Sequence, residues 1–289
     1  MKFKKTLLAA SLAALSMGTL AQTNDAGKDE VELAPSDSWA ATANVNVVSD
    51  YRFRGIDQTF NQPAIQGGFD ITMPYGFYLG NWNSNVNQNA GYSGSNIEMD
   101  LYGGWKYAFT EDWGLDTGLI NYFYPGSKLT GTSNEFGAST KGGMTYNLEY
   151  YIGGNWKTVS LKQFFALTDY FNAQGFNGAS TAGTGYTDLT ATYDLGNLDP
   201  SLGGWGVVAH AGYLYVKNYS ASNYADWKLG VTKDIGGGWT AGVSYVQTSA
   251  AGDCNNTTSP QPYCLYNNNG TSTQNAGNAT GIVSIGKTF

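Results

Sequence analysis

Hydrophobic and polar residues alternate with period two along most of the chain, not every three to four positions as on a helix face. From Trp39 to Arg54 the odd positions carry Trp39, Ala41, Ala43, Val45, Val47, Ser49, Tyr51 and Phe53; the even ones include Thr42, Asn44, Asn46, Asp50, Arg52 and Arg54. Ile65, Phe69, Ile71 and Met73 alternate with Gln66, Asp70 and Thr72. From Asn96 to Phe109, Ile97, Met99, Leu101, Trp105, Tyr107 and Phe109 share one face, and Glu98, Asp100, Tyr102 and Lys106 the other. The pattern predicts about twelve strands, near 39–54, 63–73, 77–86, 95–109, 114–124, 145–152, 158–168, 185–194, 205–216, 224–233, 239–249 and 279–289. Each is near the length a tilted membrane strand requires. Facing is ambiguous only in 114–124, where Leu115, Leu119 and Phe123 compete with Ile120, Tyr122 and Tyr124.

The connections alternate in length. Short ones fall at 74–76, 110–113, 153–157, 195–204 and 234–238; mostly longer, Asn/Ser/Gly-rich ones fall near 55–62, 87–94, 125–144, 169–184, 217–223 and 250–278. Bacterial outer-membrane barrels have this order, with short periplasmic turns, long external loops and an even strand number. The expected fold is therefore all-β, a transmembrane up-and-down antiparallel β-barrel of about twelve strands over residues 39–289.

The N-terminus reads as an export signal. Lys2, Lys4 and Lys5 precede an apolar stretch from Leu7 to Leu20, and Thr19-Leu20-Ala21 offers a small-x-small cleavage site. The stretch is shorter than the roughly 20 residues a spanning helix needs. Residues 1–21 are expected to be removed, leaving 22–38 as a short periplasmic segment before the barrel. Cleavage removes three lysines, leaving 12 basic against 22 acidic residues, a net charge of −10. That balance argues against a nucleic-acid partner. Aromatics at 15%, charges at 13% and 39 glycines fit β-architecture better than disorder.

A soluble barrel would also alternate. Bulky aromatics near strand ends favour lipid outside: Trp39, Trp82, Trp105, Tyr107, Phe109, Trp227 and Trp239 suit interfacial girdles. The charged face then becomes the lumen. Its expected lining is Asp50, Arg52, Arg54, Asp70, Glu98, Asp100, Lys106, Glu149, Lys162, Asp188, His210, Asp226 and Lys228. Arg52 or Arg54 can meet an acid such as Asp70 on a neighbouring strand, whereas Glu98, Asp100 or Glu149 must be met across the lumen. Gly281, Val283, Ile285 and Phe289 share one face of the last strand, and terminal Phe289 resembles the signal read by the barrel-assembly machinery. Lys287 interrupts that row and can snorkel to the interface. Cys254 and Cys264 lie in a polar stretch and can form one disulfide in an oxidising compartment; a metal site is the rival reading.

Catalysis finds little support. The single histidine, His210, lies between Ala209 and Ala211 on the expected lumen face, and neither Ser201 nor Ser244 sits in a nucleophile-elbow context. Glu98 and Asp100, two apart on one strand, suit acid–base work or a cation site, but more simply balance Arg52 and Arg54. No calcium-loop or nucleotide-binding motif is complete, and no cofactor is expected.

The run Ser49-Asp50-Tyr51-Arg52-Phe53-Arg54-Gly55 resembles the opening motif of the TorF-like outer-membrane porins, a family long described as bacterial proteins of unknown function. Pro63-Ala64, Gln66-Gly67-Gly68, Gly76-Phe77-Tyr78, Gly80-Asn81-Trp82 and Ser84-Asn85 fit as well. So do Glu98, Asp100, Tyr102, Gly104, Tyr122-Phe123-Tyr124-Pro125-Gly126 and Glu149. The match covers residues 44–151 well and thins to strand pattern beyond. It implies a porin-like barrel and names no solute.

The expected function is diffusion of small polar solutes through a narrow charged lumen in the outer membrane of a Gram-negative bacterium, with lipid, the assembly machinery and the solutes as partners. The alternative is a closed structural or surface-interaction barrel; an outer-membrane hydrolase is a remote third. Inward folding of 125–144 or 250–278 would weaken the channel reading.

Overall fold

In the computed structural model, which describes residues 38–89, 94–129, 139–256, 258 and 261–289, twelve strands close into one antiparallel barrel. They are β1 Ala40–Val48, β2 Ala64–Thr72, β3 Phe77–Asn85, β4 Ile97–Ala108, β5 Trp113–Phe123, β6 Tyr146–Trp156, β7 Val159–Ala166, β8 Gly185–Asp194, β9 Trp205–Tyr215, β10 Tyr224–Gly236, β11 Trp239–Thr248 and β12 Thr280–Thr288. Each pairs with its sequence neighbours, and β1 closes on β12 with Val48 opposite Ser284. Closure leaves no edge unpaired among these twelve strands. The expected export signal, 1–21, and all of 22–38 except Ser38 lie outside the described residues.

Alternation sets the facing of each strand. On β4, Ile97 is 42% exposed while Glu98 is 0% exposed; on β1, Val45 and Val47 point out and Asn46 points in. The outward rows carry Trp113, Trp156, Trp205 and Trp239 at the end bearing short turns, and Tyr146, Tyr213, Tyr215 and Trp227 at the end bearing loops. This apolar belt surrounds the whole wall, unlike the isolated patch of a few hundred Å² found on a soluble monomer, and it suits lipid. The ambiguous β5 resolves cleanly: Leu119 points out, while Asp116, Ile120 and Tyr122 are buried inside.

Three expectations need correction. Trp82 is no girdle residue; it faces inward at 5% exposure and packs on Tyr51 with ring centroids 5.4 Å apart. β6 runs to Trp156, not to 152, because Gly153 and Gly154 stay in the wall: a Cβ on Gly153 would come within 2.4 Å of Lys162 Cγ, so glycine lets that side chain pass. Most consequentially, β1 ends at Val48 instead of running to Arg54. The chain leaves the wall there and enters the lumen.

Candidate functional site

The first loop, L1 (residues 49–63), contains a small hairpin in which Arg52–Phe53 pairs with Ile56–Asp57. Arg54 and Gly55 form its tip, with φ of 49° and 79°. Two successive positive φ values define the tight turn that hairpins favour, and glycine adopts the second at no steric cost. Tyr51, Arg52, Phe53, Arg54, Ile56, Asp57, Gln58 and Thr59 are all buried. The expected wall positions of Asp50, Arg52 and Arg54 are therefore wrong: these residues belong to a plug inside the barrel. Asp57 anchors the loop's return by accepting the backbone N–H groups of Thr59 and Asn61, each at 2.8 Å.

The tip crosses the lumen to the far wall. Arg54 donates from Nη1 and Nη2 to the two carboxylate oxygens of Glu149 on β6, at 3.0 and 2.6 Å, and from Nη1 to Tyr170 Oη at 3.0 Å. The guanidinium carbon lies 4.3 Å from the Tyr186 ring centroid and 5.2 Å from that of Phe164. Tyr224 donates to the Arg54 carbonyl at 2.8 Å. Gly55 is so close to β10 and β11 that a Cβ there would meet Thr248 Cγ2 at 2.4 Å and Asp226 Cβ at 2.9 Å. Phe53 packs edge-on against Tyr122 and Phe171.

Arg52 points toward the last loop, L6 (residues 249–279). Its Nε meets Asp50 at 2.7 Å, and its Nη1 donates to the carbonyls of Ala276 and Asn278 at 2.8 and 3.1 Å. Gln274 donates to Asp57 and accepts from Asn61. L6 itself folds as a hairpin of Cys264–Tyr266 against Thr273–Asn275, with a disulfide joining Cys254 to Cys264. Asn87, Gln88 and Asn89 of the second loop bond to Tyr266, Asn268 and Asn267. The loops thus form a roof over the plug. Burial, and the charge of Asp57 beside it, push the Asp50 carboxyl up to about 7 against the pull of Arg52.

Glu98 and Asp100 do not balance the arginines as expected. Glu98 accepts from Tyr51 at 2.7 Å and from Tyr124 at 2.7 Å. Both Asp100 carboxylate oxygens are buried without a hydrogen-bond partner among the described residues. Asp70 likewise pairs with neither arginine and accepts from Tyr102 at 2.6 Å. Toward the turn end, Lys162 meets Asp116 at 2.6 Å, Tyr78 donates to Asp116 at 2.6 Å, and Lys106 lies 5.2 Å from the Tyr78 ring centroid. On β8–β10, His210 Nε2 lies 2.9 Å from Asp226 and 3.0 Å from Tyr186, its Nδ1 lies 3.0 Å from Thr190, and Asp188 accepts from Thr190 at 2.7 Å. Lys228 stands opposite His210 in the β9–β10 register.

The thirteen candidates therefore divide between a plug and the wall it meets. Sequence reasoning missed Asp116, because β5 could be read either way. It also missed the hydroxyl groups of Tyr51, Tyr78, Tyr124, Tyr170 and Tyr186, since tyrosine is amphipathic and its alternation or loop position does not reveal a hydrogen-bond partner.

A closed twelve-stranded barrel, apolar outside and charged within, with its first loop folded into the lumen, is the class this chain defines. Residues 32–289 match the model of a bacterial protein family of unknown function (Gcw_chp), and the chain belongs to that family. No curated protein matches it. Solved structures of similar fold include the NanC porin, with a TM-score of 0.47 at 9% identity over 86% of this chain and 99% of that one. The KdgM porin gives 0.45 at 9% identity over 86% and 99%. OccAB3 of Acinetobacter baumannii gives 0.40 at 12% identity over 84% of this chain and 59% of that one, so this chain spans about three fifths of its length. At such identities the likeness concerns the fold alone.

Proposed function

We propose that the chain is a porin-like channel of a Gram-negative outer membrane, of the TorF-like kind, that passes small polar solutes through a lumen narrowed by L1. The carrying observation is the inversion of polarity: an apolar belt outside and ionisable side chains from β2, β4, β5, β6, β7, β8, β9 and β10 inside. Barrels of about eight strands are filled by their side chains and those of about sixteen hold a wide channel, so twelve leave a narrow path. In this reading the loop end faces outward, the turn end faces the periplasm, residues 1–21 direct export, and Phe289 is read during assembly. His210 serves the wall and not catalysis; hydrogen bonds on both ring nitrogens support that role.

A second reading has one observation in its favour. The L1 hairpin spans the lumen from β1 to Glu149, Tyr224 and Thr248, which would make a permanently closed barrel. Single-channel recording on the purified chain in planar bilayers separates the two. Discrete conductance steps are expected, more frequent once L1 is loosened. Silence from both the native chain and an L1-loosened variant would sink the channel.

A further inference from the structure

We infer that the pocket holding Arg54 is a binding site for small guanidinium-bearing cations, and that Arg54 is its resident occupant; the inference rests on the channel reading. Apart from the Phe53 ring, 4.8 Å from the guanidinium carbon, the pocket is built by parts other than L1. Glu149 on β6 supplies a carboxylate that takes both prongs of the guanidinium fork, at 3.0 and 2.6 Å. Asn147 donates to Glu149 Oε1 at 2.9 Å and holds the carboxylate in place. Tyr186 on β8 and Phe164 on β7 present rings 4.3 and 5.2 Å from the guanidinium carbon, and Tyr170 adds a hydroxyl acceptor at 3.0 Å. A carboxylate facing a planar fork, flanked by aromatic rings, recognises guanidinium better than a point-charge ammonium.

A second observation points the same way. Asp100 is 0% exposed, and neither of its oxygens has a hydrogen-bond partner among the described residues. Tyr122 stands beside it in the β4–β5 register, and Tyr122 in turn stands beside Asn147. This part of the lumen therefore holds a second carboxyl group that makes no hydrogen bond to Arg54. Withdrawal of L1 would leave the box on the wall, negatively charged and open to the path. A solute with the same head group would compete with Arg54 for Glu149, and its entry would favour the withdrawn loop, since a ligand shifts an equilibrium by its preference for one state. Arg54 acts as a tethered competitor with a local concentration on the order of millimolar.

The test is calorimetric titration of the detergent-folded full chain with agmatine, using 1,4-diaminobutane and L-glutamate as comparison solutes. Arg54→Ala should bind agmatine at least about tenfold more tightly than the native chain, because the competitor is gone. It should bind diaminobutane more weakly and L-glutamate not at all. Adding Glu149→Gln should remove the agmatine binding. A folded Arg54→Ala chain that ignores agmatine, or binds it equally well with Glu149→Gln, overturns the inference. Should Arg54→Ala fail to fold, Arg54→Lys keeps the charge but not the fork, and agmatine affinity should still exceed the native value; no change overturns the inference. Binding is read without conductance, so the two proposals fail separately. A variant that binds agmatine and never conducts sinks the channel alone; one that conducts and never binds sinks the site alone.

Discussion

The Arg54–Glu149 contact should control whether L1 stays in the lumen. Both side chains are almost wholly buried, joined by two charge-assisted hydrogen bonds. Removing one partner of such a pair typically costs about 3–5 kcal/mol, because the survivor is left buried and uncompensated. Glu149 retains Asn147 as a donor, so the lower figure applies. About 3 kcal/mol is roughly a 150-fold change in the ratio of seated to withdrawn loop. The assay is amide hydrogen exchange at Tyr51, Asp57 and Gln58, whose N–H groups bond to Thr59 Oγ1, the Ala276 carbonyl and the Tyr51 carbonyl when the loop is seated. Arg54→Ala and Glu149→Gln should each speed exchange about 100-fold, a little short of the full loss if the loop relaxes. The double variant should exchange no faster than the worse single one, since the pair acts as a unit. Additive effects, or singles changed by less than about threefold, would show that this ion pair does not seat the loop.

Other consequences concern the same loop and its roof. Gly55→Ala should unseat L1, since its Cβ would strike Thr248 and Asp226 at a φ of 79°; Gly126→Ala, at φ 81° with nothing within 4 Å among the described residues, should cost only about 1 kcal/mol of backbone strain. Recording should show more open time for the first and an unchanged open time for the second. The Asp50 carboxyl, raised to about 7 in the seated loop from an ordinary 3.8, holds its proton there at pH values where the withdrawn loop has lost it. Seating should therefore be firmest below pH ~4, weaken as pH rises, and level off above ~7. Exchange at Tyr51, corrected for its intrinsic rate, measures this, and a flat or opposite profile would contradict it; Asp50→Asn should flatten the response. Cys264→Ser should loosen L6 by about 2–3 kcal/mol of loop entropy while the barrel stays folded. Protease cleavage confined to L6, with unchanged heat-modified gel mobility, is the expected result.

Much of the architecture was legible along the chain. Period-two alternation and alternating short and long connections gave twelve strands, antiparallel neighbours and the facing of most side chains. These follow from local geometry, because each residue of a strand turns to the opposite face from the last and a short turn forces its strands together. The motif around Arg52, Arg54 and Gly55 marked an unusual segment without revealing its place. Alternation continues through Phe53 into the L1 hairpin, so the pattern predicts a longer wall strand. Only the fold shows that both faces of that hairpin are buried.

The partners of the charges were beyond local reading. Arg54 and Glu149 are separated by 95 positions in sequence, and Arg52 and Ala276 by 224. Nothing local distinguishes those pairings from the expected neighbouring-strand pair with Asp70. Closure of the barrel sets which walls face each other, and the Arg54–Gly55 turn sets how far the loop reaches across. That this protein has an inside and an outside is written along the chain, since side-chain polarity with period two is a one-dimensional property. The tertiary structure decided what fills the inside, because a plug is held by distances across a lumen that no stretch of chain records.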